Sequence, residues 1–252
     1  MKLLLIDVGN TQTVVGLDED GETTTWRLST QAHRTEDEYR LLLGSLLDGR
    51  ADGADGAALS SVVPPATIAL RAAIAAVAGV DPVVVGPGTR TAMSLMVDNP
   101  REVGADRIVN AIGAVERFGA PVVTVDFGTA TTVDLVGTEG EYRGGAIAPG
   151  LTIAADALVD ATAALRRVDL IAPIRAVGHN TVEAIQSGLV FGYAGLVDGL
   201  ISRILGEFGS DDVPLVATGG LASVVVPHCS HAITLDPQLT LRGLRVVWDR
   251  NH

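Results

Sequence analysis

Two short segments hold the residues whose types and spacing suit phosphate chemistry: DVGNTQT at Asp7–Thr13 and DFGTATT at Asp126–Thr132. In each, an apolar run ends in Asp, a Gly follows two residues on, and hydroxyl or amide side chains fill the turn before β-type sequence resumes. The Gly lets the backbone come close to a phosphate or take positive φ, and the turn's N–H groups and Thr hydroxyls can donate to phosphate oxygens. A carboxylate at the strand end can hold a hydrated cation that bridges those oxygens. These are the parts of a nucleotide polyphosphate clamp. They are also ordinary residues of a β-hairpin turn, so the repetition carries the argument. Shifting the chain by 119 residues sets Asp7 on Asp126, Gly9 on Gly128, Thr13 on Thr132, Val14 on Val133, Gly21 on Gly140 and Glu22 on Glu141. That is six identities over positions 7–22, where average residue usage gives roughly one. No G-x-x-x-x-G-K-[ST] loop occurs, and β-type sequence after each Gly disfavours a dinucleotide fingerprint, which has to open a helix.

A third candidate is VGADRIVNAIGAVERF, Val103–Phe118, where Ile108, Val109, Ile112 and Val115 form one helical face. Gly104, Asp106 and Arg107 stand at its start, where free N–H groups can receive an anion or a polar substrate. A carboxylate there is equally a helix cap.

The elements that must position these residues follow from periodicity. Lys2–Asp7, Thr13–Leu17 and Thr23–Leu28 read as a three-strand meander with the DEDG turn between the second and third. A helix is expected over 35–47, from a Thr35 cap with Glu38 three residues on. A strand follows over 57–63, then a break at Pro64-Pro65, an Ala-rich helix over 66–77 and a short strand at 83–85. The second half repeats the order: strands over 122–126, 131–136 and 141–147, helices over 149–164 and 181–205, a strand over 215–217 and a short helix over 221–225. Duplication places the boundary in or just after the helix 106–118, giving domains 1–115 and 116–252.

The 252 residues carry 30 acidic and 18 basic side chains, a formal net charge of −12. Such a surface repels phosphate backbones and anionic lipid, so neither nucleic acid nor membrane is an expected partner. Any nucleotide must be held locally. The longest uncharged helix-like stretch, Ala184–Val197, spans 14 residues and falls short of a bilayer. With Cys229 as its one cysteine the chain forms no internal disulfide, which suits a reducing cytoplasm. Only His228 and His231, flanking Cys229, approach metal-ligand spacing, and ordinary turn residues explain them as well.

Five ordered motifs are together similar to the type III pantothenate kinases, also called the Bvg accessory factor family. They are DVGNT, NPREVGADR from Asn99 to Arg107, DFGTATTVDL, GGAIAPG from Gly144 and HNTVEAIQSG from His179. The match is collinear over nearly the whole chain. The resemblance implies an α/β protein with the duplicated ribonuclease-H-like, actin-like ATPase fold, two β-sheet domains with flanking helices. The implied reaction moves the ATP γ-phosphoryl group to the primary hydroxyl of pantothenate, the first step of coenzyme A synthesis. By the same resemblance Asp106 is the general base, and Gly104, Ala105, Asp106, Arg107 and Thr181 bind pantothenate. Asp7, Val8, Gly9, Asn10, Thr11, Gln12, Thr13, Val14 and Thr129 bind ATP, with Mg2+ or another divalent cation. Asp126 binds the K+ or NH4+ that the family needs. The family's homodimers share the substrate site between chains, with Thr181 crossing over. Small residues recurring at Ala184, Gly188, Gly192, Gly195 and Gly199 would let another helix approach closely, either within one subunit or from a second. Val97 stands where many members have Tyr, which keeps a kinase for another small alcohol in view beside a regulatory member that acts by binding. SSVVPP at Ser60 and ATGG at Ala217 occupy similar places in the two halves.

Overall fold

The computed structural model describes residues 1–252. It opens with the expected meander, β1 (Lys2–Val8), β2 (Gln12–Glu19) and β3 (Glu22–Ser29), followed by α1 (Glu36–Leu47), β4 (Gly56–Ser61), α2 (Pro64–Ala78), β5 (Val83–Val84) and α3 (Ala105–Phe118). The second half contains β6 (Val122–Phe127), β7 (Ala130–Val136), β8 (Tyr142–Pro149), α4 (Leu151–Asp160), α5 (Thr181–Phe208), β9 (Leu215–Thr218), α6 (Ala222–Val225), β10 (Thr234–Leu235) and α7 (Leu239–Asn251). Each half builds a five-stranded sheet, ordered β3-β2-β1-β4-β5 and β8-β7-β6-β9-β10. In both, the central strand is antiparallel to the second and parallel to the fourth. Duplication is therefore a property of topology as well as of motif.

Pairing corrects the repeat by one residue. Positions 9–12 lie between the paired Val8 and Thr13, whereas only 128–130 lie between the paired Phe127 and Thr131. Thr13 thus corresponds to Thr131 rather than Thr132. A one-residue slip would turn a strand's buried face outward, and the observed register keeps Val15 and Val133 in the cores of their respective sheets.

Two packing units result. Unit 1 comprises Met1–Ser94, Asp98–Arg117 and Gln238–His252; unit 2 comprises Leu95–Val97 and Phe118–Pro237. The main division falls at 117/118, two residues from the expected 115/116, and two segments cross it, one to cover a sheet face and one to extend a sheet edge. In unit 1, Leu4, Ile6 and Val8 of β1 pack with Tyr39, Leu43 and Leu47 of α1 and Leu70 and Ile74 of α2. Leu3 and Leu5 point to the opposite face and are also buried, because α7 covers that side. Leu241 presses on Gly16 of β2 and Trp248 on Gly56 of β4, so closely that neither glycine has room for a Cβ. α7, for which no expectation follows from local sequence, therefore folds with unit 1. In unit 2, Leu95–Val97 join the edge of β8, where the Met96 N–H donates to the Tyr142 carbonyl at 2.8 Å.

Several local expectations hold and others shift. Thr35 and Glu38 form the full reciprocal capping box of α1. Pro64 and Pro65 open α2 instead of breaking the chain, since proline at the first helical positions gives up no helical hydrogen bond. The helix expected from Pro149 starts at Leu151 because Pro149 still belongs to β8. α5 is longer than its uncharged part, and at 28 residues it is long and apolar enough to cross a membrane by length and composition. Its inner face, with Leu189, Tyr193, Ala194, Val197 and Ile201, lies in the unit 2 core.

Candidate functional site

In unit 1 the candidate residues gather at the carboxyl ends of β1 and β4. Asp7 is the penultimate residue of β1, in register with Val14 on β2 and Ser60 on β4. The chain then turns tightly, the Gly9 N–H donating to the Gln12 carbonyl at 3.0 Å, and leaves Asn10, Thr11 and Gln12 exposed at the tip. Thr30, after β3, holds the turn from one side: its N–H donates to the Thr11 carbonyl at 2.9 Å, and its hydroxyl shares a 2.8 Å hydrogen bond with Thr13.

The start of α3 lies at the same end of this sheet. Val62, immediately after β4, donates its N–H to the Val8 carbonyl at 3.0 Å, and its side chain lies 3.7 Å from where a Cβ on Gly104 would be. That Cβ would stand 2.5 Å from the Asp106 carboxylate, so only glycine leaves room for Asp106 as it is oriented. The half-buried Asp106 accepts the Arg107 N–H at 2.8 Å. Ahead of it, Asn99 caps the short turn Pro100–Glu102 and ties to Glu102 at 2.6 Å. The segment NPREVGADR is thus a rigid lead-in that presents Asp106 and Arg107 on the first turn of a helix, where N–H groups have no intrahelical acceptor.

In unit 2, Asp126 occupies the corresponding place on β6, in register with Thr132 and Thr218. The turn is shorter, with the Gly128 N–H donating to the Ala130 carbonyl at 3.1 Å, and Thr129 is half-buried at its tip. Two glycines back directly onto it. A Cβ on Gly150 would stand 2.1 Å from the Thr129 carbonyl oxygen. One on Gly219, at φ +94°, would stand 2.6 Å from both the Asp126 carboxylate and the Phe127 backbone. DFGTATT, GGAIAPG and ATGG therefore converge. Thr181 is exposed at the first turn of α5, capped by the Asn180 side chain, which accepts the Glu183 N–H at 2.9 Å. The Glu183 carboxyl is held below its ordinary value, chiefly by the His179 N–H.

One residue the sequence reading did not place is Ser60. It is fully buried, and its hydroxyl has no hydrogen-bond partner; an orphan of this kind costs about 1–3 kcal/mol. Its neighbour Ser61 is fully employed, accepting the Val63 N–H at 3.1 Å and the Thr67 hydroxyl at 2.7 Å. The hydroxyls of SSVVPP were the available signal.

The histidines beside Cys229 make no metal centre. His231 pairs with Asp198 at 2.9 Å, burial pushes the Cys229 thiol up to about 11, and no group of three acidic, His or Cys side chains is placed to hold an ion. A divalent cation bound with nucleotide needs no such cage, because Mg2+ keeps several waters and takes one or two carboxylates plus phosphate oxygens. The Asp7 carboxylate at the end of β1 fits that chemistry.

A five-stranded sheet in this order, built twice, with an acidic strand end and a tight turn in each copy, defines the duplicated ribonuclease-H-like fold of the actin-like ATPases and sugar kinases. Solved structures bear this out at the level of fold. A conserved Baf family protein from Campylobacter jejuni is 18% identical with a TM-score of 0.63, each chain 98% covered. The ROK family glucokinase of Streptomyces griseus, solved with glucose and AMPPNP, is 13% identical with a TM-score of 0.53, over 99% of this chain and 98% of its own. Sequence comparison goes further. The type III pantothenate kinase profile matches residues 3–203, and the type III pantothenate kinase of Streptomyces avermitilis is 48% identical over 99% of this chain and 98% of its own. The chain belongs to the type III pantothenate kinase family, whose members use ATP to phosphorylate pantothenate in coenzyme A synthesis.

Proposed function

We propose that Asp106 is the general base of this phosphorylation, and that Gly104, Ala105, Asp106 and Arg107 hold pantothenate. Asp7, Val8, Gly9, Asn10, Thr11, Gln12, Thr13, Val14 and Thr129 hold ATP, and Asp126 holds K+ or NH4+. The observation that carries this reading is the placement of Asp106 on the first turn of α3, beside Val62 and so at the same end of the unit 1 sheet as the Asp7 loop. Asp106 accepts the proton of the primary hydroxyl as that oxygen bonds to the γ-phosphorus and the bond to the ADP oxygen breaks. Arg107 and the free N–H groups of the first turn orient the acceptor. The exposed tip at Asn10–Gln12 offers its N–H and side-chain donors to the phosphates, and Thr129 adds a hydroxyl. The Asp7 carboxylate would hold a divalent cation, which would supply positive charge to the transferring phosphoryl group. Transfer of this kind depends mainly on in-line positioning, so one base and well-aimed donors suffice.

The protein acts as a cytoplasmic homodimer in which Thr181 completes the partner's pantothenate site. Support comes from α5: Ala184, Gly188, Gly192, Gly195 and Gly199 are exposed, and a Cβ on any of these four glycines would meet nothing within 4 Å. From Gly188 to Gly199 the strip is therefore open to a second helix, while Gly178 of the same chain packs against Ala184. Exposed Ile174, Val177 and Val182 border it in sequence. Neither membrane nor nucleic acid takes part in this reading.

The test is phosphate transfer to pantothenate by parent and Asp106→Asn, with and without K+, alongside light scattering at micromolar concentration. Loss of turnover with an unchanged circular dichroism spectrum, dependence on K+ and a dimer mass are expected. Near-normal turnover of Asp106→Asn would remove it as the base, and a monomer would remove the shared site.

A further inference from the structure

Ser60 is a buried hydroxyl that the fold itself does not use, and its position says what it faces. On β4, Ala57 and Leu59 point into the core formed with α1 and α2, so Ser60 points to the opposite face. On β1, Leu4, Ile6 and Val8 point into that same core, so Asp7 also faces away from it. Asp7 and Ser60 are register partners on adjacent parallel strands, which sets them about 4.8 Å apart at the backbone with side chains on a common face. The second copy of the sheet repeats the arrangement. Asp126 is the register partner of Thr218 on β9, and Thr218 is likewise buried. In both halves the strand-end carboxylate therefore has a buried hydroxyl beside it on the next parallel strand, although the two strands share little else in sequence.

We propose that Ser60 is a positioning residue for Asp7. Its hydroxyl donates to the Asp7 carboxylate when the nucleotide and its divalent cation bind, and fixes the carboxylate in the orientation that the cation requires. The inference rests on the reading that Asp7 serves the cation of ATP. A serine turns its hydroxyl among three staggered positions at little cost, so the bond can form on binding without movement of β4. A hydroxyl already spent on the Val63 N–H and the Thr67 hydroxyl, as at Ser61, could not respond in this way.

The test is the thermal shift given by AMPPNP as Mg2+ is titrated, which reads binding without turnover. Ser60→Ala is expected to leave the ligand-free Tm equal to or above that of the parent, because it removes an unsatisfied buried group. The same variant is expected to raise the Mg2+ concentration for half-maximal shift about 10-fold, the usual loss when a partner of a metal ligand is removed. Ser60→Thr, which supplies the hydroxyl found at the equivalent place in unit 2, is expected to keep the parent requirement. An unchanged Mg2+ requirement in Ser60→Ala overturns the proposal, as does a ligand-free Tm lowered in the manner of a lost structural hydrogen bond. Asp7→Asn separates the two levels: it is expected to abolish the Mg2+-dependent shift. If instead it titrates like the parent, Asp7 does not serve the cation, and the reading beneath the proposal falls with it.

Discussion

The turn after Val8 and the turn after Phe127 descend from one pattern, yet they are held in different ways. In unit 1 the turn has four residues and little behind it: a Cβ on Gly9 would meet only the Gln12 carbonyl, at 3.1 Å. In unit 2 the turn is one residue shorter, and Gly150 and Gly219 press on it at distances that exclude any side chain. The helix that follows each fifth strand has diverged as well. α3 begins at Ala105, directly after Gly104, and carries Asp106, whereas α7 begins with buried Leu239 and Leu241 and serves as cover for the unit 1 sheet. These two helices cross at Gly113 and Gly243, each filled against by the other's backbone, and Thr240 donates to Asn110 at 2.7 Å. Duplication thus supplied two equal scaffolds, and side chains that merely back one copy leave the other's equivalent positions open for chemistry.

The sharpest way to break this comparison sets Asp106→Asn against Thr240→Ala, changes near the starts of the two equivalent helices. Asp106→Asn is expected to lower kcat by about 10²–10⁴-fold, while Thr240→Ala loses one hydrogen bond and leaves kcat within about threefold, roughly 0.7 kcal/mol on the barrier. Steady-state kinetics decides it, and comparable losses would end the distinction between an armed and a covering helix. Next in size is the support of the two turns. Gly219→Ala is expected to cost about 3 kcal/mol, because positive φ and a backbone clash combine, and Gly9→Ala no more than about 1 kcal/mol, as its single contact can relax. Equal shifts in urea midpoint would show the turns to be equally braced.

A smaller effect tests whether α7 belongs energetically to unit 1. Arg245 on α7 donates to Asp18 of β2 at 2.9 Å, and the Asp18 side chain is 5% exposed while also accepting from Gly21 and Thr23. Arg245→Ala leaves that carboxylate without its cation and is expected to cost about 2 kcal/mol in urea denaturation; no measurable loss would make the contact ornamental. The smallest expected change is in unit 2, at the tie between α5 and the loop before β10. Burial pushes the Asp198 carboxyl up, but the N–H groups of Ser230 and His231 outweigh it and leave the carboxyl below its ordinary value. A lowered folded value contributes stability that is present above the unfolded value of about 4 and is lost as pH falls through the folded one. Asp198→Asn is therefore expected to cost about 1 kcal/mol at pH 7 and to converge with the parent as pH falls through that lowered folded value. A pH-independent difference would point to packing rather than charge.

Much of the scaffold was legible because its signals are local. The three-strand meander, the Thr35–Glu38 cap and the first turn of α3 each follow from residues within a few positions of one another, and the paired Asp-x-Gly segments exposed the duplication before any coordinate. The repeat alignment erred by one residue for an equally local reason. Thr131 and Thr132 are both Thr, so identity alone could not choose between them, whereas strand pairing could. α7 escaped because its apolar residues Leu241, Leu244 and Val247 alternate with arginines near the end of the chain, and nothing nearby in sequence reveals the sheet face they cover.

By itself the sequence determined the periodicities, the two acidic strand ends with their turns, the Gly-Ala-Asp-Arg helix start and, through ordered motifs, the family. Only the tertiary structure decided that the last helix packs on the first sheet, that Gly150 and Gly219 brace the second turn and not the first, and that Ser60 sits beside Asp7 with its hydroxyl unspent. The physical reason is range. Turn geometry and helix starts are set by neighbours along the chain, while room for a Cβ, the partner of a buried hydroxyl and the face left uncovered depend on atoms brought together from residues far apart in sequence.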